Sequence, residues 1–265
     1  MSNFGNNPAR FGSTVARGDA QAIDQGLRAY MLSIYNYMGI GVAITGLAAM
    51  IVYTLATTTV GAPDAVATVR GGLALTEFGR ILFVSPLKWV VMLAPLGLVF
   101  LLGFRVQNMS VPTAQAVFWL YAALVGVSLS TIFLVYTHGS ITQVFFITAA
   151  AFGGLSLYGY TTQRSLSGMG SFLIMGLIGI LIASVVNIFL GSSALQFAIS
   201  VIGVLVFSGL TAYDTQRLKE EYLYAWQGAD QASIGRSAIM GALSLYLNFI
   251  NLFTMLLSLF GQKQE

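Results

Sequence analysis

The sequence predicts an all-α integral membrane protein, a bundle of seven transmembrane helices. Of its 265 residues 57% are hydrophobic and only 8% charged, whereas a soluble domain carries about 25% charged residues. Mean hydropathy is +0.81. Several apolar runs reach about 20 residues, the length that crosses about 30 Å of hydrocarbon as a helix. None of them alternates as a barrel strand does, and lipid requires every backbone group to be paired within its own segment.

Residues 1–29 are polar and mixed in charge, without the short apolar core and small-residue cleavage site of a secretory signal. They are expected to remain as a cytoplasmic tail. The transmembrane domain is expected over 30–261, with spans at 30–56, 87–104, 114–135, 141–160, 171–190, 195–216 and 237–260, and 262–265 as a short carboxyl-terminal tail. Punctuation between spans comes from Pro112 and from the polar and small residues of 136–140, 161–170 and 191–193. Only 57–86 and 217–236 are expected to be long connections. Pro95 interrupts the backbone pairing of the second span and predicts a kink there. Gly39, Gly41, Gly46, Gly126, Ser130, Gly176 and Gly179 are expected to let helices pack closely. The last span is unusual in carrying Asn248 and Asn251, which fits a centrally buried or re-entrant segment as well as a lipid-facing one.

Positively charged loops are retained in the cytoplasm. With the amino terminus inside, that side holds Arg10, Arg17, Arg28, Arg105, Arg164, Arg217, Lys219 and Arg236, and the other side Arg70, Arg80, Lys88 and Lys263. This distribution predicts a cytoplasmic amino terminus and an outer carboxyl terminus. The lack of an organelle address points to a bacterial cytoplasmic (inner) membrane.

Composition also narrows the function classes. The formal net charge is +3 and the basic residues are scattered, so no phosphate-tracking run points to nucleic acid. There is no cysteine and one histidine, His138, which leaves no thiolate chemistry and no cluster for a transition metal. A serine protease would have to pair His138 with Ser128 or Ser130, but His138 falls in a short outer turn. The chain is therefore expected to be no enzyme and to need no cofactor, with membrane lipid as its solvent.

Charges inside a bilayer are costly, which singles out Asp214 in Gly209-Leu-Thr-Ala-Tyr-Asp-Thr-Gln-Arg217, at the expected carboxyl end of the sixth span. A helix carboxyl end disfavours an anion, so Asp214 needs a partner. Arg217 at i+3 would make it an interfacial ion pair worth a few tenths of a kcal/mol; an ion or proton site is the alternative. In Ala242-Leu-Ser-Leu-Tyr-Leu-Asn-Phe-Ile-Asn-Leu-Phe253, helical spacing puts Ser244, Asn248 and Asn251 on one face, either as interhelical glue or as part of a site.

In order and together, these two segments resemble the carboxyl-terminal region of the Bax inhibitor-1 family, also called transmembrane Bax-inhibitor-motif proteins. Val127-Ser-Leu-Ser-Thr-Ile-Phe-Leu-Val-Tyr136 is similar to that family's third span, and Ala150-Ala-Phe-Gly-Gly-Leu-Ser-Leu-Tyr-Gly-Tyr160 to its fourth. The resemblance implies a bundle whose last helix is enclosed by the other six. It also implies a pH-sensitive calcium leak, in which aspartates on the sixth and seventh helices share a proton. Asp214 matches the first aspartate, making it a transient calcium site, with calcium as the permeant ion. At the second position stands Asn248. Two close carboxylates cannot both ionise easily, which makes such a pair a pH switch, whereas an amide donates a hydrogen bond to the ionised carboxylate. The resemblance further implies a latch from the second helix onto Asp214, a role for which Arg105 is positioned. Some bacterial members are linked instead to modulation of another membrane protein, such as an integral membrane protease, with no flux of their own.

Overall fold

A computed structural model describes the backbone of residues 8–69, 72–226 and 229–264, and their side chains from residue 23 onward except that of Trp226. Arg70 and the side chains of Arg10 and Arg17, used above in the charge count, lie outside this description. The protein is a helical membrane bundle with seven helices long and apolar enough to span a bilayer.

The first helix, α1 (Pro8–Ala56), begins well before the apolar run, whose spanning part is Ile23–Ala56. The polar stretch before it carries four alanines and two arginines, which prolong a helix without needing lipid. The connection that follows is built rather than loose. Strands β1 (Thr57–Thr59), β2 (Ala67–Thr68) and β3 (Leu73–Leu75) form an antiparallel sheet in the order β1-β3-β2. Three consecutive β-branched threonines favour the extended chain at β1. Thr76 then caps α2 (Glu77–Phe83) by accepting from the Gly79 amide at 3.2 Å, and its hydroxyl ties back to the Leu55 carbonyl at 2.8 Å.

Next come α3 (Leu87–Arg105), which contains Pro95, and α4 (Val111–Leu129), capped by Ser110. The third span breaks after Leu129 and finishes as the short α5 (Ile132–Val135). Then follow α6 (His138–Thr161), capped by Thr137, and α7 (Ser167–Leu190), ended by Gly191 at φ +61°, where a left-handed backbone suits glycine. The sixth span, α8 (Ser193–Glu221), is prolonged by a π-turn, Tyr222–Trp226, and Asp230 caps α9 (Gln231–Phe260). The connection expected over 217–236 is thus mostly helix. Apolar windows register only the part of a helix in hydrocarbon, and Leu218-Lys-Glu-Glu221 continues the same helix beyond it.

The last helix is the most buried of the seven, with half of its apolar window inside, against 11% for α3 and α7. It packs directly on α1, α4, α6 and α8, while α3 lies on α4 and α7 on α8. Thirty residues make about 45 Å of helix. At one end of α9, Ser237 meets Tyr30 near the start of the first span (2.9 Å). At the other, the Gln262 and Gln264 backbones pair with Thr137 and Val135 at the turn before α6. The final segment therefore runs the length of the bundle and does not double back.

Among the small residues, Gly41 abuts Phe118, Gly126 abuts the Thr45 carbonyl and Gly176 abuts Val206, so these three do bring helices together. Gly39, Gly46 and Gly179 face open space and play no such part. Gly159, which periodicity did not single out, is the tightest approach of α6 to α8, set against the Ala212 carbonyl.

Candidate functional site

The sequence of α8 puts a carboxylate, a cation and a second carboxylate on one stripe: Asp214, Arg217 and Glu221 at i, i+3 and i+7. Because α8 runs on to Glu221, Asp214 is two turns inside the helix and not at its carboxyl end as expected. It is buried, at 6% exposure, against α9. The ion pair expected of Asp214 is present on one oxygen, and neutral donors of α9 hold the other. Oδ1 pairs with the Arg217 guanidinium at 2.8 Å. Oδ2 accepts from the Asn248 amide at 2.8 Å and from the Ser244 hydroxyl at 3.0 Å. Ser244 and Asn248 are one turn apart on α9, so a single helical face delivers both donors. Arg217 also donates to Ser244 at 3.3 Å, closing a ring of three side chains around the carboxylate.

The remaining expected residues are placed differently. Asn251 donates to the Leu247 carbonyl of its own helix at 2.8 Å and does not reach Asp214. Arg105 is exposed at the end of α3 and forms no ion pair among the described residues; the cation on Asp214 is Arg217. His138 lies against the rings of Tyr53 and Phe133, while Ser128 and Ser130 donate to the carbonyls of Val91 and Val127. No serine–histidine contact exists among the described residues, and neither does a group of three or more metal-ligating His, Cys, Asp or Glu.

A cavity of about 360 Å³ opens onto this ring between the ends of α3 and α8 and the start of α9. Val99 and Gly103 form one wall, Met240, Gly241 and Leu247 another, and Arg217, Glu221, Ser237 and Ser244 give it polar groups. Arg217 stands between cavity and carboxylate, its side chain 47% exposed. Glu221 escapes hydropathy analysis because it lies past the apolar window, but its seven-residue spacing from Asp214 marks the same face. It accepts from Ser237 at 3.4 Å, and Ser237 also bonds Tyr30 at 2.9 Å, which stacks on Tyr222. The start of α1 is thereby tied to the cavity rim.

On its other side the ring meets packed aromatic side chains. Tyr246, fully buried, bonds Thr45 at 2.6 Å and packs edge-on against Phe118 and Tyr121. Beyond Asn248 an aromatic layer of Phe145, Phe152, Phe249 and Phe253 fills the bundle, with centroids 5.6–6.2 Å apart. The arrangement is a buried carboxylate beside a cavity at one end of the bundle, with an arginine between the two.

Comparison with known proteins agrees with this architecture. A protein of Caulobacter vibrioides is 47% identical over 265 residues, covering all of both chains. Rickettsia prowazekii RP147 is 45% identical over 247 residues, 92% of this chain and 94% of the relative. The inner membrane protein YbhL of Escherichia coli K12 is 42% identical over 241 residues, 90% of this chain and 94% of YbhL. The model of the family described as inhibitor of apoptosis-promoting Bax1 matches residues 27–265. With that match reaching all seven spans found among the described residues, the chain belongs to the Bax inhibitor-1 family.

Proposed function

We propose that this protein is a passive cation leak of the bacterial inner membrane, with calcium as the permeant ion and Asp214 as the point where passage is gated. The observation that carries the reading is the Asp214 carboxylate, held on one oxygen by neutral donors of α9 and on the other by an exchangeable cation facing a cavity. A buried carboxylate of this kind attracts a cation as soon as Arg217 withdraws, and Arg217 is exposed enough to withdraw into solvent. The resemblance to calcium-leak members of the family supports calcium as the ion, and the name of the relative YbhL supports the inner membrane. The charge asymmetry supports a cavity that opens to the cytoplasm. Nothing in this reading requires a covalent step or a cofactor.

The test is calcium entry into sealed vesicles containing the purified protein and a calcium-sensitive dye. Protein-dependent entry that Asp214→Asn abolishes is the expected result. Vesicles no leakier with the protein than without it would reject ion passage and leave modulation of a partner membrane protein as the function.

A further inference from the structure

A second opening lies away from Asp214, on the seam between α1 and α6. These helices flank each other without close backbone packing, and their polar link is a hydrogen bond between Tyr35 and Ser156 at 2.6 Å. The gap left on the side where α1 begins is a groove of about 590 Å³. Leu32, Phe152 and Leu157 make its walls apolar, and Leu32 and Leu157 are exposed to whatever surrounds the bundle. Gly153 forms part of its lining, with no atom within 4 Å of where a Cβ would stand. From Asp24 to Tyr35 the groove follows twelve residues of α1, about 16 Å of helix.

Its mouth is charged. Asp24 and Arg28 line it, both exposed and with no ion pair between them. Tyr160 closes the other side, and Lys219 reaches over it, donating to the Tyr160 carbonyl at 2.9 Å with its ammonium 5.2 Å from the ring centre. Arg28 and Asp24 thus line the mouth one against one, and Lys219, outside the lining but held beside Tyr160, adds a second cation next to it, where apolar wall gives way to polar helix end. In a bilayer such a groove fills with hydrocarbon, and basic groups at the mouth of a gap between helices select an anionic head group.

We propose that the α1–α6 groove holds one acyl chain of an anionic phospholipid whose phosphate rests between Arg28 and Lys219. From Arg28 to Tyr35 the groove runs about 10 Å, the length of the head-group half of an extended chain; its walls offer that half no polar partner until the Tyr35–Ser156 link, and the cations stand at the end where the head group lies. This site is separate from the Asp214 ring and does not depend on ion passage.

Native mass spectrometry of the full chain, extracted from vesicles of equal parts phosphatidylglycerol and phosphatidylcholine, reads the occupancy directly. The wild type should retain one lipid with a preference for phosphatidylglycerol. Arg28→Gln should cut that preference about fivefold, the worth of one basic group at a membrane surface. Asp24→Asn should sharpen it. Gly153→Leu, which fills open space, should expel both lipids while leaving elution and melting unchanged. Retained lipid in folded Gly153→Leu, or a head-group preference untouched by Arg28→Gln, would overturn the proposal. So would a dimer in detergent that Gly153→Leu dissolves, since a second copy would then occupy the groove.

Discussion

Replacing Arg217 with alanine removes the cation from Asp214 Oδ1 and leaves the donors on Oδ2 in place. At 2.8 Å and an effective dielectric of about 20, the gross attraction is about 6 kcal/mol. Much of it is offset, because Asp214 has given up solvent and the Arg217 side chain is still half in it. The net contribution falls between the 0–1 kcal/mol of an exposed pair and the 3–5 kcal/mol lost on breaking a buried one, about 1–3 kcal/mol. If the paired arrangement is the closed state, removing it shifts the closed-to-open ratio by about 5- to 150-fold. Calcium entry into sealed vesicles should rise within that range for Arg217→Ala and less for Arg217→Lys, which keeps the charge but loses the planar fork. Arg105→Ala is the control: the resemblance implies a latch from that residue, whereas the structure gives it no ion pair, so its flux should match the wild type. Folded Arg217→Ala with wild-type flux, or Arg105→Ala with raised flux, would refute the assignment of the lock to Arg217.

Other expectations follow from particular contacts. Asn248→Asp would set a second carboxylate about 3 Å from Asp214, and since two such groups cannot both stay ionised, vesicle flux should acquire a proton-dependent step between about pH 6 and 8 that the wild type lacks. Gly159→Ala should destabilise the bundle by about 1–3 kcal/mol, read as a lowered melting temperature in detergent, because its Cβ meets the Ala212 backbone, which cannot rotate away. A reporter fused after Glu265 should be active outside the cytoplasm, since α9 runs the length of the bundle; activity inside would reverse the orientation argued from Lys and Arg.

Seven spans were legible because hydrophobic length is a direct consequence of bilayer thickness, and Asp214 was legible because a lone carboxylate in such a run stands out. The partnership with Asn248 followed from the resemblance, and Ser244, placed on the same face of α9 by its spacing, joins it in the structure. What the same reasoning missed has physical causes. Helices α1 and α8 outrun their apolar windows, so the polar start of α1 and Glu221 looked like tail and loop. Asn251 shares a face with Asn248 by spacing, yet an amide can satisfy itself on its own helix, and it does so at Leu247. Arg105 was the latch that the resemblance implied, whereas Arg217, expected from its i+3 spacing, needs no tertiary arrangement to reach Asp214. The small sheet in 57–75 escaped because its strands are two or three residues long, too short for any period to register.

On the proposed ion path the two sides of the Asp214 ring make different barriers. From the cavity an incoming cation competes only with Arg217, because Asn248 and Ser244 hold the other oxygen from within α9. Past Asn248 it meets Phe145, Phe249 and Phe253, whose edge-on packing offers no polar group. The barriers stand in series, and the charged one is nearer the entrance. Loosening the aromatic layer with Phe253→Leu should therefore change little while Arg217 is in place, since few ions reach that layer. In an Arg217→Ala background the same substitution should raise calcium flux further, so that the double variant exceeds the product of the two single effects. Independent routes would instead give gains that simply add. Flux raised by Phe253→Leu alone, to the level of the double variant, would show that ions bypass Asp214 altogether.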